Sequence, residues 1–83
     1  MAKEILKFQA TWCGPCKMLS NIMEGEDLGL PVREIDIDEN TELAVKYGVR
    51  GVPTLVVVDE EGTEVKRRAG VMMINELKEW LAS

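Results

Sequence analysis

A chain of 83 residues, 46% hydrophobic and 30% charged, has room for one packed domain and is too apolar to stay disordered. Its 10 basic and 15 acidic residues leave a net charge of −5, which argues against phosphate backbones and anionic lipid surfaces as partners. With no histidine, Ser-His-Asp and Cys-His catalysis and every His-containing metal site are excluded.

Residues 1–10 carry no long apolar stretch, so neither a signal peptide nor a membrane span is expected, and a cytoplasmic location follows. No repeat, linker or low-complexity tract divides the chain, and residues 1–83 read as a single domain. Residues 5–10 read as a first strand, with Leu6, Phe8 and Ala10 alternating against Ile5, Lys7 and Gln9. A helix starts near residues 13–15, since Pro15 suits a first helical position where its missing N–H costs nothing. Met18, Leu19, Ile22 and Met23 continue it at helical spacing, and Gly25 stops it. Residues 26–31 form a loop and residues 32–37 a second strand.

Asp38 or Asn40 can cap a short second helix carrying Leu43, Ala44 and Tyr47, which Gly48 ends. Residues 54–58 are continuously apolar and β-branched, the pattern of a strand covered on both faces. Residues 59–62 make a hairpin turn in which Gly62 supplies a positive φ. The strand at residues 63–68 is an edge, its Lys66, Arg67 and Arg68 discouraging further pairing. Ile74, Leu77, Trp80 and Leu81 stripe a last helix that lacks a good N-cap, because Met72 and Met73 stand where Ser or Asp would serve better. The order βαβαββα predicts an α/β fold: a four-stranded mixed sheet with helices on both faces.

The chemistry rests on Cys13 and Cys16, separated by Gly14 and Pro15. A bridge across so short a loop stabilises the chain by only roughly 2 kcal/mol, so a structural staple is the weaker reading. An unperturbed thiol is about 3% ionised at pH 7, and a pKa lower by ~1.5 units stabilises the thiolate by about 2 kcal/mol. A helix N-terminus supplies much of that through its free N–H groups and dipole. Cys13 stands where those donors point, and Cys16 lies about one turn inside the helix, within reach of the first sulfur. Cys13 would attack a substrate disulfide and Cys16 would resolve the mixed disulfide. A metal site within one chain fails for want of two further ligands, leaving only a metal shared between two copies. Haem attachment fails because Lys17 follows Cys16 where histidine is required.

Trp12-Cys13-Gly14-Pro15-Cys16-Lys17 resembles the active-site motif of the thioredoxin family. Residues 46–55, Lys-Tyr-Gly-Val-Arg-Gly-Val-Pro-Thr-Leu, look like the family's segment leading into its cis-proline, and Gly70 with residues 77–81 is similar to its terminal glycine and helix. The likeness runs from about residue 5 to residue 81 and lacks the family's usual first strand and helix, which leaves a chain of glutaredoxin size. It implies a thioredoxin-like fold with sheet order 2-1-3-4, no bound cofactor beyond a redox-active disulfide, protein disulfides as substrates and a separate reductase as electron donor. It also implies a cis bond before Pro53 and a substrate platform at Gly51, Val52, Pro53 and Gly70. A monomer is expected. Trp12 should flank that platform as a partly exposed ring. Lys17 reads as a solvated helix residue whose charge favours a nearby thiolate. Met18, Met23, Met72 and Met73 read as core filler or groove wall.

The sequence departs from the family at Lys7 and Glu34. Thioredoxins carry a buried Asp where Lys7 stands and a Lys where Glu34 stands, so the two charges are exchanged, and Gln9 replaces a usual Trp. A Lys7–Glu34 pair across parallel neighbouring strands is one expectation; both side chains reaching solvent is the other. In the paired arrangement Glu34 would accept the Cys16 proton and Lys7 would favour thiolate. Two other functions remain open at this point: a glutaredoxin-like enzyme using glutathione, and a non-catalytic module that docks a partner in the same groove.

Overall fold

The computed structural model describes residues 3–83. Its elements are β1 (Glu4–Gln9), α1 (Gly14–Met23), β2 (Val32–Asp36), α2 (Thr41–Lys46), β3 (Thr54–Val58), β4 (Glu64–Ala69) and α3 (Ile74–Ala82). They build a mixed sheet ordered β2-β1-β3-β4. β1 runs parallel to β2, with Lys7 opposite Glu34, while β3 is antiparallel to both β1 and β4. The fold class, strand order and helix count are those the sequence implied.

Covered strands sit in the middle of the sheet for a compositional reason. Every residue of β3 is buried and so are the four inner residues of β1, whereas β4 is exposed along nearly its whole length. On one face Ile5, Leu55 and Val57 pack with Leu19 and Met23 of α1 and with Leu77 of α3. On the other, Leu6, Phe8, Val56 and Val58 pack with Tyr47 and with Leu43 and Ala44 of α2. A third, smaller cluster of Ala10, Cys13 and Cys16 lies beyond the carboxyl end of β1, packed by Ile37 and Val52. The cysteines therefore stand where open α/β sheets present their crevice.

Five strand limits, spread over β1, β2 and β4, move by a residue from the sequence expectation. β1 stops at Gln9 because its carbonyl takes the last parallel bond, from Ile37 N–H at 3.0 Å, and Ala10 turns to accept from Cys13 N–H at 3.2 Å. Asn40 is the N-cap of α2, but its side chain makes no capping bond, nor does that of Asp38. Asp36 instead closes the preceding turn, its carboxylate accepting from Asp38 N–H at 2.8 Å and its carbonyl from Asn40 N–H at 2.8 Å. Lys66 and the two arginines do more than blunt an edge. Lys66 Nζ donates to the terminal carbonyls of α3 at Trp80 (2.9 Å) and Ser83 (2.6 Å), where a cation suits the helix end. Arg67 donates to the Tyr47 carbonyl, and Arg68 pairs with Glu76 at 2.6 Å.

Candidate active site

Cys13 is the N-cap of α1, in extended conformation at φ −93° and ψ 107°, with Pro15 in the first turn. That geometry aims the unsatisfied amides of the turn at its sulfur, and Cys16 N–H donates to Cys13 Sγ at 3.1 Å. The two cysteines are joined as a disulfide. Both are almost wholly covered, 4% and 2% exposed, whereas Trp12, Gly14 and Pro15 beside them in the chain are exposed, as are Gly51 and Gly70. Trp12 is 67% exposed and is steered by a bond from its indole N–H to Asp38 at 2.9 Å. Lys17 is exposed on the outer side of α1.

Facing the sulfurs is the loop before β3. The Val52–Pro53 bond is cis, and the Val52 carbonyl lies 3.7 Å from Cys13 Sγ. Thr54 Oγ1 donates to the Gly51 carbonyl at 2.7 Å, and Gly70 N–H donates to the Pro53 carbonyl at 2.9 Å. Val52 thus faces the cysteine pair, with Gly51 and Pro53 beside it in the chain and Gly70 bonded to Pro53. Met23 and Met72 are buried, while Met18 and Met73 are exposed, at 57% and 64%.

Lys7 is 1% exposed, although β1 has no other charged residue in its buried stretch. Its ammonium donates to Ser20 Oγ at 2.5 Å and to Gln9 Oε1, and stands 3.7 Å from Glu34 Oε2. Glu34 is 61% exposed, so the pair is asymmetric: one member is buried and the other solvated. Burial pushes the Lys7 pKa down from 10.5, and the Glu34 carboxylate partly opposes that. A groove of about 640 Å³ holds Lys7, Ser20 and Glu34, and a separate one of about 380 Å³ holds Gln9, Cys16, Ser20 and Asp36.

Two residues of this environment escaped the sequence reading. Ser20 interrupts the apolar stripe of α1 between Leu19 and Met23, and a polar residue on a buried face is the signal that marks it. Asp38 read as a helix cap and instead orients Trp12. Among the described residues no cluster of three or more Cys, Asp or Glu could hold a metal, and no helix is long and apolar enough to cross a membrane.

The family model described as thioredoxin matches residues 2–83. The chain belongs to the thioredoxin family. Its Cys13–Cys16 disulfide is the redox-active pair of a thiol–disulfide oxidoreductase. A thioredoxin of Bacillus subtilis is 45% identical over 67 residues, covering 76% of this chain and 64% of its own length. One from Rickettsia bellii is 38% identical over 81 residues, covering 93% of this chain and 76% of its own. A mutant thioredoxin from Halobacterium salinarum superposes with a TM-score of 0.85 at 42% identity, over 95% of this chain and 71% of that one.

Proposed function

We propose that the protein is a cytoplasmic, monomeric, single-domain disulfide reductase that passes electrons from a separate reductase to disulfides of other proteins, with no bound cofactor. The observation that carries this reading is Cys13 Sγ at the N-cap of α1, 3.1 Å from the Cys16 amide and bonded to the second sulfur. In the dithiol form the same amide and the helix terminus favour the Cys13 thiolate. That thiolate attacks one sulfur of the substrate disulfide and releases the other as a thiolate, leaving a mixed disulfide. Cys16 then displaces the captured sulfur and restores the Cys13–Cys16 bond.

Val52 and Pro53 are the docking platform for an extended substrate segment, which would pair with the backbone of half-buried Val52. Gly51 and Gly70 keep the platform free of side chains, and Trp12 walls it. Gly14 and Pro15 start the helix that activates Cys13, and Lys17 adds positive charge near it. Lys7 supplies a buried cation against Ser20, on the helix that carries the pair, and Glu34 its counter-charge. The test is reduction of a model protein disulfide coupled to a thioredoxin reductase. Wild type is expected to turn over, Cys13→Ser to lose all activity, and Cys16→Ser to accumulate a mixed disulfide. Full activity in Cys13→Ser, or turnover supported by glutathione alone, overturns the reading.

A further inference from the structure

Lys7 is buried, yet nothing in the exchange cycle above explains why its ammonium is tied to a helix hydroxyl. The bond runs in one direction. An ammonium only donates, so at 2.5 Å it occupies a lone pair of Ser20 Oγ and leaves the hydroxyl hydrogen for something else. Among the described residues no acceptor takes that hydrogen. Gln9 Oε1 accepts a second ammonium hydrogen and Glu34 faces the third, so the cation is held at a fixed point under α1.

Ser20 stands four residues after Cys16 on one helix, which puts their Cβ atoms about 5–6 Å apart on the same face. It lines both grooves, the one that contains Lys7 and the one that contains Cys16. Resting on the proposed exchange cycle, we propose that Ser20 is a positioning residue for the resolving sulfur. Anchored by Lys7, it turns its hydroxyl hydrogen toward Cys16 and stabilises the thiolate that forms there, directly or through one water. A hydroxyl that accepts from an ammonium is polarised and donates more strongly.

The step balances without a carboxylate base. Cys16 S–H gives its proton to water in the solvent-open groove. Its electron pair forms the bond to Cys13 Sγ, the bond from Cys13 to the substrate sulfur breaks, and the substrate leaves as a thiolate that takes a proton from solvent. The charged groups facing this route are Glu34 from β2, Glu24 and Glu26 past α1 on the Lys7 side, and Lys17 and Asp36 on the Cys16 side. Neither α3 nor β3 brings a charge to either groove.

The experiment is an ultraviolet thiolate titration of Cys16 in a Cys13→Ala background. Adding Ser20→Ala is expected to raise the Cys16 pKa by about one unit, roughly a tenfold loss of thiolate at neutral pH. Ser20→Thr, which keeps the hydroxyl, restores the original curve, and Lys7→Met shifts it in the same direction as Ser20→Ala. Glu34→Gln does not raise it. An unchanged curve in Ser20→Ala, or a rise in Glu34→Gln alone, overturns the proposal. If Ser20→Ala fails to fold, Lys7→Met decides, and an unshifted curve there is fatal. The titration needs no turnover, so a wild type that reduced no protein disulfide would sink the proposed function while this readout still judged Ser20.

Discussion

An ammonium at 1% exposure is tolerable only because each of its three hydrogens faces an oxygen, from Gln9, Ser20 and Glu34. The compensation is incomplete, since burial still lowers the Lys7 pKa from 10.5. The unfolded chain therefore binds that proton up to a higher pH than the folded one does. Where the unfolded state holds more protons, stability rises with pH, so the Lys7 contribution climbs through the window beneath 10.5. Urea midpoints for wild type are expected to gain on those of Lys7→Met as pH rises through that window. Parallel curves would contradict the burial argument. Tyr47 offers a second residue-scale test. Its hydroxyl donates to the Gly62 carbonyl at 2.6 Å, tying α2 to the β3–β4 turn. Tyr47→Phe should cost about 1 kcal/mol in equilibrium unfolding, the worth of one such bond. Cys13 and Cys16 were legible in the sequence because their chemistry is local: four consecutive residues hold the nucleophile, the helix start and the resolving thiol. Glu34 was legible as a neighbour of Lys7 on the adjacent parallel strand, but Ser20 was not, because it lies thirteen residues away and only the packing of α1 on β1 brings it to Lys7.

β3 is the element on which both cores depend. Leu55 and Val57 point toward α1 and α3, Val56 and Val58 toward α2, and all four are at most 3% exposed. Leu55→Ala removes apolar volume between two helices and the sheet, and is expected to cost about 2–5 kcal/mol. On the neighbouring β4, Val65 is 46% exposed, and Val65→Thr should change stability by no more than about 0.5 kcal/mol. Chemical unfolding of the two variants checks the contrast, and equal losses would show that the edge strand is packed more tightly than its exposure indicates. Element types were readable because period and composition decide them: the continuous β-branched run of β3 and the 3.6-residue stripes of α1 and α3. Ends were less readable, because a strand stops where its ladder bonds stop. Gln9 closes β1 through a bond from Ile37, just past the end of β2, and α2 begins at Asn40 from a turn closed by Asp36, without the side-chain cap expected of Asp38 or Asn40.

At the scale of the molecule, the disulfide couples the site to global stability. In the unfolded chain, a bridge between residues three apart restricts a very small loop, worth roughly 2 kcal/mol in favour of the oxidised fold. In the folded chain, the reduced form recovers part of that, because the α1 terminus supplies about 0.3–1 kcal/mol, up to ~2, to a partly buried thiolate. Lys7 adds to the same side. The thiolate contribution offsets part of the disulfide's, so oxidised and reduced protein should differ by less than about 2 kcal/mol. For a domain of this size, each 1 kcal/mol moves Tm by roughly 4–8 °C. Calorimetry with and without a phosphine reductant is expected to show the oxidised form melting higher by a few degrees at neutral pH. Lys7→Met changes both folds through the loss of its buried contacts, but only the reduced fold also loses a cation near the thiolate, so its gap should widen. By the same cycle its reduction potential becomes more negative, about 30 mV for each tenfold change in the exchange equilibrium. A gap that stayed constant while the potential moved would mean, since the cycle must close, that Lys7 shifts the potential of the unfolded chain equally, and would overturn this account.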